Sequence, residues 1–301
     1  MSDFLYYLLD GLCNGAIIAM IALGYTLVYG IIKLINFAHG EFFMVGAYAG
    51  HALWLLLPAA WPVGVTLPLL LVAGAVAGAL IAMLTERVAY RPIRGGGRLI
   101  ALLTAIGVSL TLQNLFKFVK HGKNQAFTGP VEELFAHTVE VGDKGISVAK
   151  FGFIALSAVL MLGLYHLVRH TRFGRAMRAS SQDLEAARLM GIDVDRVILF
   201  TFCLGGCFAG LAGVLHGALY QVSPTMGFMP GLVAFVAAVI GGIGSLPGAV
   251  LGGIAIGLLN NLVLWAGVPS EYQDVMVFLL LIVMLVVRPA GLLGKPEREK
   301  V

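Results

Sequence analysis

The chain has 301 residues, of which 59% are hydrophobic and only 12% charged, with 39 glycines, three cysteines and a formal net charge of +4. Mean hydropathy is +0.93, whereas a soluble domain is roughly 45–50% apolar and roughly 25% charged. These values exclude a cytosolic globular protein, a disordered chain, a disulfide scaffold and a nucleic-acid binder, and leave a polytopic membrane protein.

A bilayer core about 30 Å thick takes roughly 20 apolar residues per helical crossing. Counted this way, the spans fall at 8–32, 38–57, 64–85, 99–117, 151–168, 197–220, 230–244, 249–267 and 272–288. The expected fold is therefore all-α, one transmembrane helix bundle over residues 1–301 with eight or nine crossings. Met1 to Ile32 begins with Asp3 and Asp10 and has no basic leader, so it reads as the first transmembrane helix and not as a signal peptide. Pro58, Trp61 and Pro62 split the charge-free run between Glu41 and Glu86 into two helices. The stretch 230–244 is short for a crossing and predicts a broken or re-entrant helix.

Positive charge sets the orientation. Arg87, Arg91, Arg94 and Arg98 lie in one connection, Arg169, Arg172, Arg175, Arg178, Arg188 and Arg196 in another (about 169–196), and Arg288, Lys295, Arg298 and Lys300 at the C-terminus. These segments are expected on the cytoplasmic side. The loop 118–150 balances Lys120, Lys123, Lys144 and Lys150 against Glu132, Glu133, Glu140 and Asp143, and suits the outer face. Nine crossings then start outside and finish inside.

Small residues mark the helix contacts. Gly206, Gly210, Gly213 and Gly217 share one helix face, where another backbone can approach closely. Gly11/Gly15, Gly46/Gly50, Gly74/Gly78, Gly248/Gly252 and Gly253/Gly257 repeat the pattern, so a close-packed bundle is expected. Cys13, Cys203 and Cys207 lie within apolar spans and read as packing surface; no metal-ligand or cofactor motif accompanies them.

Two stretches interrupt the apolar pattern. Asn36-Phe-Ala-His-Gly-Glu41 reads either as a cytoplasmic turn, with Glu41 favouring the N-terminus of the next helix, or as a helix interruption at membrane depth whose polar groups line a pathway. Gly241-Gly-Ile-Gly-Ser-Leu-Pro-Gly248 fits neither a dinucleotide fingerprint nor a P-loop, and reads as a tight turn or the non-helical part of a broken span. Between them, the arginine-rich stretch Phe173 to Ile192 favours helix from about Gln182. Ser181 or Asp183 stands as its cap, Glu185 in its first turn and Gly191 as its stop. Such a helix suits an anionic lipid surface or a groove in a cytoplasmic partner.

Glu185-Ala186-Ala187 followed by Gly191 resembles the "EAA" motif of ATP-binding cassette (ABC) importer permeases. Gly24-Tyr-Thr-Leu-Val-Tyr-Gly-Ile-Ile-Lys-Leu-Ile-Asn-Phe-Ala-His-Gly-Glu41 and Ala234-Phe-Val-Ala-Ala-Val-Ile-Gly-Gly-Ile-Gly-Ser-Leu-Pro-Gly-Ala249 resemble two stretches of the LivH-type branched-chain amino acid permeases. The likeness covers nearly the whole chain except loop 118–150, where no motif is found. The resemblance implies a transport subunit, not an enzyme, in the bacterial inner membrane, and it implies no cofactor. The partners it implies are two ATPase subunits, a LivM-type second permease and a periplasmic amino-acid-binding protein. It also implies that Glu185, Ala186, Ala187 and Gly191 form a coupling helix seated on the ATPase. The chain itself has no Walker A motif.

The substrate is less legible. Asn14, Tyr25, Gln113, Asn114, His216, Asn260 and Asn261 are polar groups within spans, and Asn36, His39, Gly40 and Glu41 mark the interruption. Of these, Asn14, Tyr25, Asn36, His39, Gly40 and Glu41 are the candidate pathway or gating residues, although each polar group also suits interhelical hydrogen bonding. A urea or short-chain amide permease is the alternative within the same fold. An ion-driven secondary transporter is the alternative outside it, with Glu41 as its proton carrier.

Overall fold

The computed structural model describes residues 2–58, 60–141 and 144–294; Asp143, Lys295, Arg298 and Lys300 of the charge argument lie outside the described residues. Helix α1 (Ser2–Ile32) is followed by α2 (His39–Leu56), α3 (Val63–Thr85) and α4 (Arg98–Val119). The loop after α4 holds one short turn of helix, α5 (Pro130–Glu133), and a two-stranded hairpin, β1 (Thr138–Val141) and β2 (Lys144–Ser147). Then come α6 (Val148–His170), two short helices α7 (Arg172–Gln182) and α8 (Leu184–Leu189), and α9 (Val194–Leu219). Helices α10 (Phe228–Gly241), α11 (Leu246–Trp265) and α12 (Gln273–Val287) complete the described chain.

Seven of the described helices are long and apolar enough to cross a membrane, and Phe228–Gly241 is a shorter apolar one. With α2, which carries His39, Glu41 and His51, the order matches the nine runs read from the sequence. Three local differences have physical reasons. Helix α3 does not end at residue 85: a π-helical turn (Glu86–Tyr90) and a 3₁₀ turn (Arg91–Ile93) extend it, so Arg87 and Arg91 ride on continuous helix. The arginine-rich stretch is helical from Arg172 and not only from Gln182, because Thr171 caps α7 by accepting from the Gly174 amide at 3.0 Å. The hairpin adds a small β element to the helical fold: its alternating pattern seats Ile146 in the core and sets Lys144 over the Tyr7 ring on α1.

Glycine organises the interior. Helix α9 is the centre: Gly206 and Gly210 meet the backbone of Gly78 and Gly74 on α3, Gly210 also meets Gly46 on α2, and Gly213 meets the Phe43 carbonyl. Gly11 and Gly15 on α1 pack on Gly253, Ile254 and Gly257 of α11. A methyl group would be tight at Gly11 and at each of the other glycines would collide with backbone atoms, which cannot swing aside as a side chain can. The opposite faces are apolar and exposed: on α3, Leu69, Val72, Val76, Leu80 and Leu84 recur at helical spacing as a lipid-facing stripe.

The glycine-rich segment is a tight turn. Gly242 and Gly244 adopt φ of +104° and +92°, a region that side chains disfavour. Ser245 Oγ then caps α11 by accepting from the Gly248 amide at 3.2 Å. The last carbonyls of α10, those of Ile240 and Gly241, accept from the amides of Leu292 and Leu293, so the C-terminal segment finishes what the turn leaves open.

Candidate functional site

The interruption between α1 and α2 lies inside the bundle and is not a surface turn. Asn36, His39 and Glu41 are all buried. The His39 ring sits in the notch left by Gly24, eight residues before α1 ends at Ile32, which at 1.5 Å per residue is about 12 Å inside. Glu41 reaches Ser109 and Gln113, halfway along α4. Helix α2 therefore starts within the bundle, well inside the end of α1.

The hydrogen bonds explain how the break is held. Asn36 Oδ1 accepts from the Tyr90 hydroxyl at 2.7 Å and from the Ala38 amide at 3.0 Å, so one side chain closes the turn and ties it to the π-helical segment after α3. The His39 and Glu41 amides close on the carbonyls of Asn36 and Ala38, each at 3.0 Å. Tyr25 lies edge-on to the His39 ring at 4.7 Å, and Phe42 closes the other side at 5.5 Å.

Helix α10 mirrors this arrangement. Val222 pairs with Gln125 of the long loop after α4, yet Gly227, five residues on, touches the Gly40 backbone. The chain thus runs inward as an irregular segment before α10 begins. Fourteen residues make a helix of about 21 Å, short of the roughly 30 Å hydrocarbon core, which accounts for the short apolar run read from the sequence. Two half-helices, α2 and α10, meet at their N-termini through Gly40, Gly227 and Gly231. Neither start has a side-chain cap.

Asn36, His39, Gly40, Glu41 and Tyr25 are brought together at this meeting point, and Asn14 is not. Asn14 accepts from the Tyr220 hydroxyl at 3.1 Å and faces the Asp10–Lys150 ion pair, toward the opposite end of α1. Among the other polar groups, Gln113 binds Glu41, while Asn114 and Asn261 bond back to the carbonyls of Leu110 and Gly257. Sequence reasoning does not single out Ser109, because its partnership with Glu41 has no local signature across 68 residues.

The arginine-rich connection forms a compact bracket. Asp183 caps α8, accepting from the Glu185 and Ala186 amides at 2.9 and 3.0 Å; Ser181 instead donates to the Arg178 carbonyl. Ala187 is buried, Glu185 and Ala186 are exposed, and the helix stops at Gly191 with φ +82°. Leu189 and Met190 are 88% and 83% exposed at its tip. Four residues past Gly191, Asp195 accepts from Arg94 at 2.6 Å and Arg91 at 2.9 Å, and Arg94 also pairs with the buried Glu86. A line of direct contacts thus runs from the end of α8 through Asp195, Arg94 and the Glu86–Tyr90 turn to Asn36.

Among the described residues, nine apolar helices, six of them packed through glycine and two of those six interrupted, make a polytopic membrane protein. A family model described as "Branched-chain amino acid transport system / permease component" matches residues 7–285, and the chain belongs to that family. It is 43% identical to the high-affinity branched-chain amino acid transport system permease protein LivH of Escherichia coli K12 and of Salmonella typhimurium, over 99% of each chain. It is 41% identical to BraD of Pseudomonas aeruginosa over 99% of this chain and 98% of that one. The xylose transport permease XylH of Escherichia coli is similar over a shorter stretch, 37% identical across 127 residues. No solved structure matches the chain. The protein is a multi-pass permease component of the bacterial inner membrane.

Proposed function

We propose that the whole chain, 1–301, acts as one permease domain through which leucine, isoleucine, valine or other hydrophobic amino acids cross the inner membrane, driven by ATP hydrolysis on two partner ATPase subunits. A LivM-type permease completes the pore, membrane lipid surrounds it, and a periplasmic amino-acid-binding protein delivers the substrate. The observation that carries this reading is the meeting of α2 and α10 at depth, where the polar residues of the interruption converge, combined with full-length similarity to LivH.

In this reading α8 is the lever. Of Glu185, Ala186, Ala187 and Gly191, the buried Ala187 anchors α8 to its own bundle, and the other three, with the exposed Leu189 and Met190, seat in a cleft of the ATPase. Closure of the ATPases shifts α8, Asp195 carries the shift to Arg94 and the Glu86–Tyr90 turn, and Tyr90 transmits it to Asn36 and the start of α2. Rigid-body movement of packed helices then alternates access.

The test is purification with the neighbouring subunits in mild detergent and reconstitution in proteoliposomes with the binding protein. ATP-dependent leucine uptake by a complex of two ATPases and two permeases is the expected result. Uptake confined to urea or short amides would change the substrate, and accumulation under an ion gradient without ATP would overturn the ATP-driven reading.

A further inference from the structure

We propose that the seam between Gly40 of α2 and Gly227 of α10 is the recognition site for the α-ammonium of an amino acid, with Glu41 as its counter-ion and the Gly40 and Gly227 carbonyls beside it. This inference rests on the reading of the chain as an amino-acid permease and assigns the residues that make the contact.

The argument starts from Glu41, whose side chain is fully buried. Its Oε1 is committed, accepting from Ser109 Oγ at 2.9 Å and Gln113 Nε2 at 2.8 Å. Gln113 Nε2 also lies 3.2 Å from Ser109 Oγ, so the serine accepts from the amide and gives its own proton to the carboxylate. Oε2 is buried too, yet among the described residues it has no hydrogen-bond partner. It points at Gly227, 2.7 Å from where a side chain there would begin. A carboxylate held away from water with one oxygen unmatched is costly to leave so, and an ammonium supplies both the charge and the donors it lacks.

The seam itself adds acceptors: the Gly40 and Gly227 carbonyl oxygens face each other across it beside Glu41 Oε2, while the first turn of α10 offers an anion little, its Phe228 amide being bonded to the Thr225 carbonyl and Pro230 having none. Gly40, Gly227 and Gly231 line the seam with backbone alone, and a side chain at any of them would fill it. Beside it stand Tyr25, whose hydroxyl is 3.4 Å from the Cβ position of Gly231, and Phe235 at 6.1 Å from the Tyr25 ring. These rings give an aliphatic side chain its apolar wall. Here the half-helices are closed on each other, so the amino acid enters as they part, its ammonium between Glu41 and the two carbonyls.

Glu41→Gln keeps the shape and an acceptor for Ser109 and Gln113 while removing the charge. The test places the complete permease–ATPase complex in nanodiscs without binding protein. Saturation-transfer NMR then measures the binding of leucine, 4-methylpentanoate (leucine without its ammonium) and 3-methylbutylamine (leucine without its carboxylate). Wild type should prefer both leucine and 3-methylbutylamine to 4-methylpentanoate by at least about tenfold. Glu41→Gln should erase that preference over 4-methylpentanoate while binding the latter as wild type does, a result that a merely structural role for Glu41 would not produce. Should Glu41→Gln fail to fold, infrared difference spectra of wild type with carboxyl-¹³C leucine decide, because binding must perturb an unlabelled protein carboxylate. Equal leucine binding in Glu41→Gln, no ammonium preference in wild type, or no perturbed protein carboxylate overturns the inference. Leucine uptake by the complete system without leucine binding to the complex does so as well and leaves the permease reading standing. Absence of both uptake and binding for every aliphatic amino acid removes that reading too.

Discussion

The Tyr90 hydroxyl donates to Asn36 Oδ1 at 2.7 Å in a fully buried setting, joining residues 54 positions apart. The same oxygen accepts from the Ala38 amide, so the asparagine holds both the turn and its neighbour. Asn36→Ala leaves two buried donors without an acceptor, at about 1–3 kcal/mol each, whereas Tyr90→Phe deletes one bond worth about 0.5–1.5 kcal/mol. Thermal unfolding of the detergent-purified protein should rank Asn36→Ala clearly below Tyr90→Phe. Equal midpoints would show that the bond does not hold the interruption.

Arg94 joins Glu86 and Asp195, and the Glu86 side chain is 2% exposed. Removing one partner of a buried pair leaves an uncompensated charge and costs about 3–5 kcal/mol, while replacing both is far milder. Arg94 is itself a fifth exposed, which places the expected loss at the lower end of that range. Arg94→Leu should therefore destabilise strongly, and the double variant Arg94→Leu with Glu86→Gln should recover most of the loss. A double-mutant cycle on unfolding midpoints checks this, with additivity as the contrary outcome.

The glycines divide into two kinds. At Gly210 a Cβ would strike the Gly74 carbonyl, so Gly210→Val should force α3 from α9 and abolish a monodisperse size-exclusion peak. At Gly163 a Cβ meets nothing within 4 Å, and Gly163→Ala should be neutral or stabilising by up to about 1 kcal/mol through helix propensity. Identical behaviour of the two variants would contradict the packing described.

Glu185→Lys and Gly191→Leu probe the lever. Gly191 has open space around it, so a leucine there strains only the backbone, by roughly 1–2 kcal/mol for the left-handed conformation. Both variants should insert normally and lose the link between ATP hydrolysis and leucine uptake in proteoliposomes. Normal coupling ratios in both would return α8 to a surface role.

The spans were legible because a bilayer demands long apolar runs, and the Gly206–Gly217 face was legible because close approach of backbones admits few other residues. Whether Asn36 to Glu41 formed a surface turn or lay at depth was not legible. That depends on Gly24 making room for His39 and on Ser109 and Gln113 facing Glu41, and neither pairing has a local period. The start of α7 was missed because its arginines obscure an apolar pattern, whereas Thr171 at its cap was a usable signal. Polarity alone groups Asn14 with the interruption, although ten residues of helix lie between it and Tyr25.

The two glycine zippers divide the interior into separate packets. One joins α1 to α11 through Gly11, Gly15, Gly253 and Gly257; the other joins α2, α3 and α9 through Gly46, Gly74, Gly78, Gly206, Gly210 and Gly213. Within each packet the backbones are in direct contact and leave no slack, so each behaves as a stiff plate. Where the plates adjoin, Gly24 of α1 faces Gly205 of α9, with the His39 ring lodged beside them. The boundary is thus keyed by a single imidazole, and His39 is the side chain that must leave its notch before one plate can shift against the other.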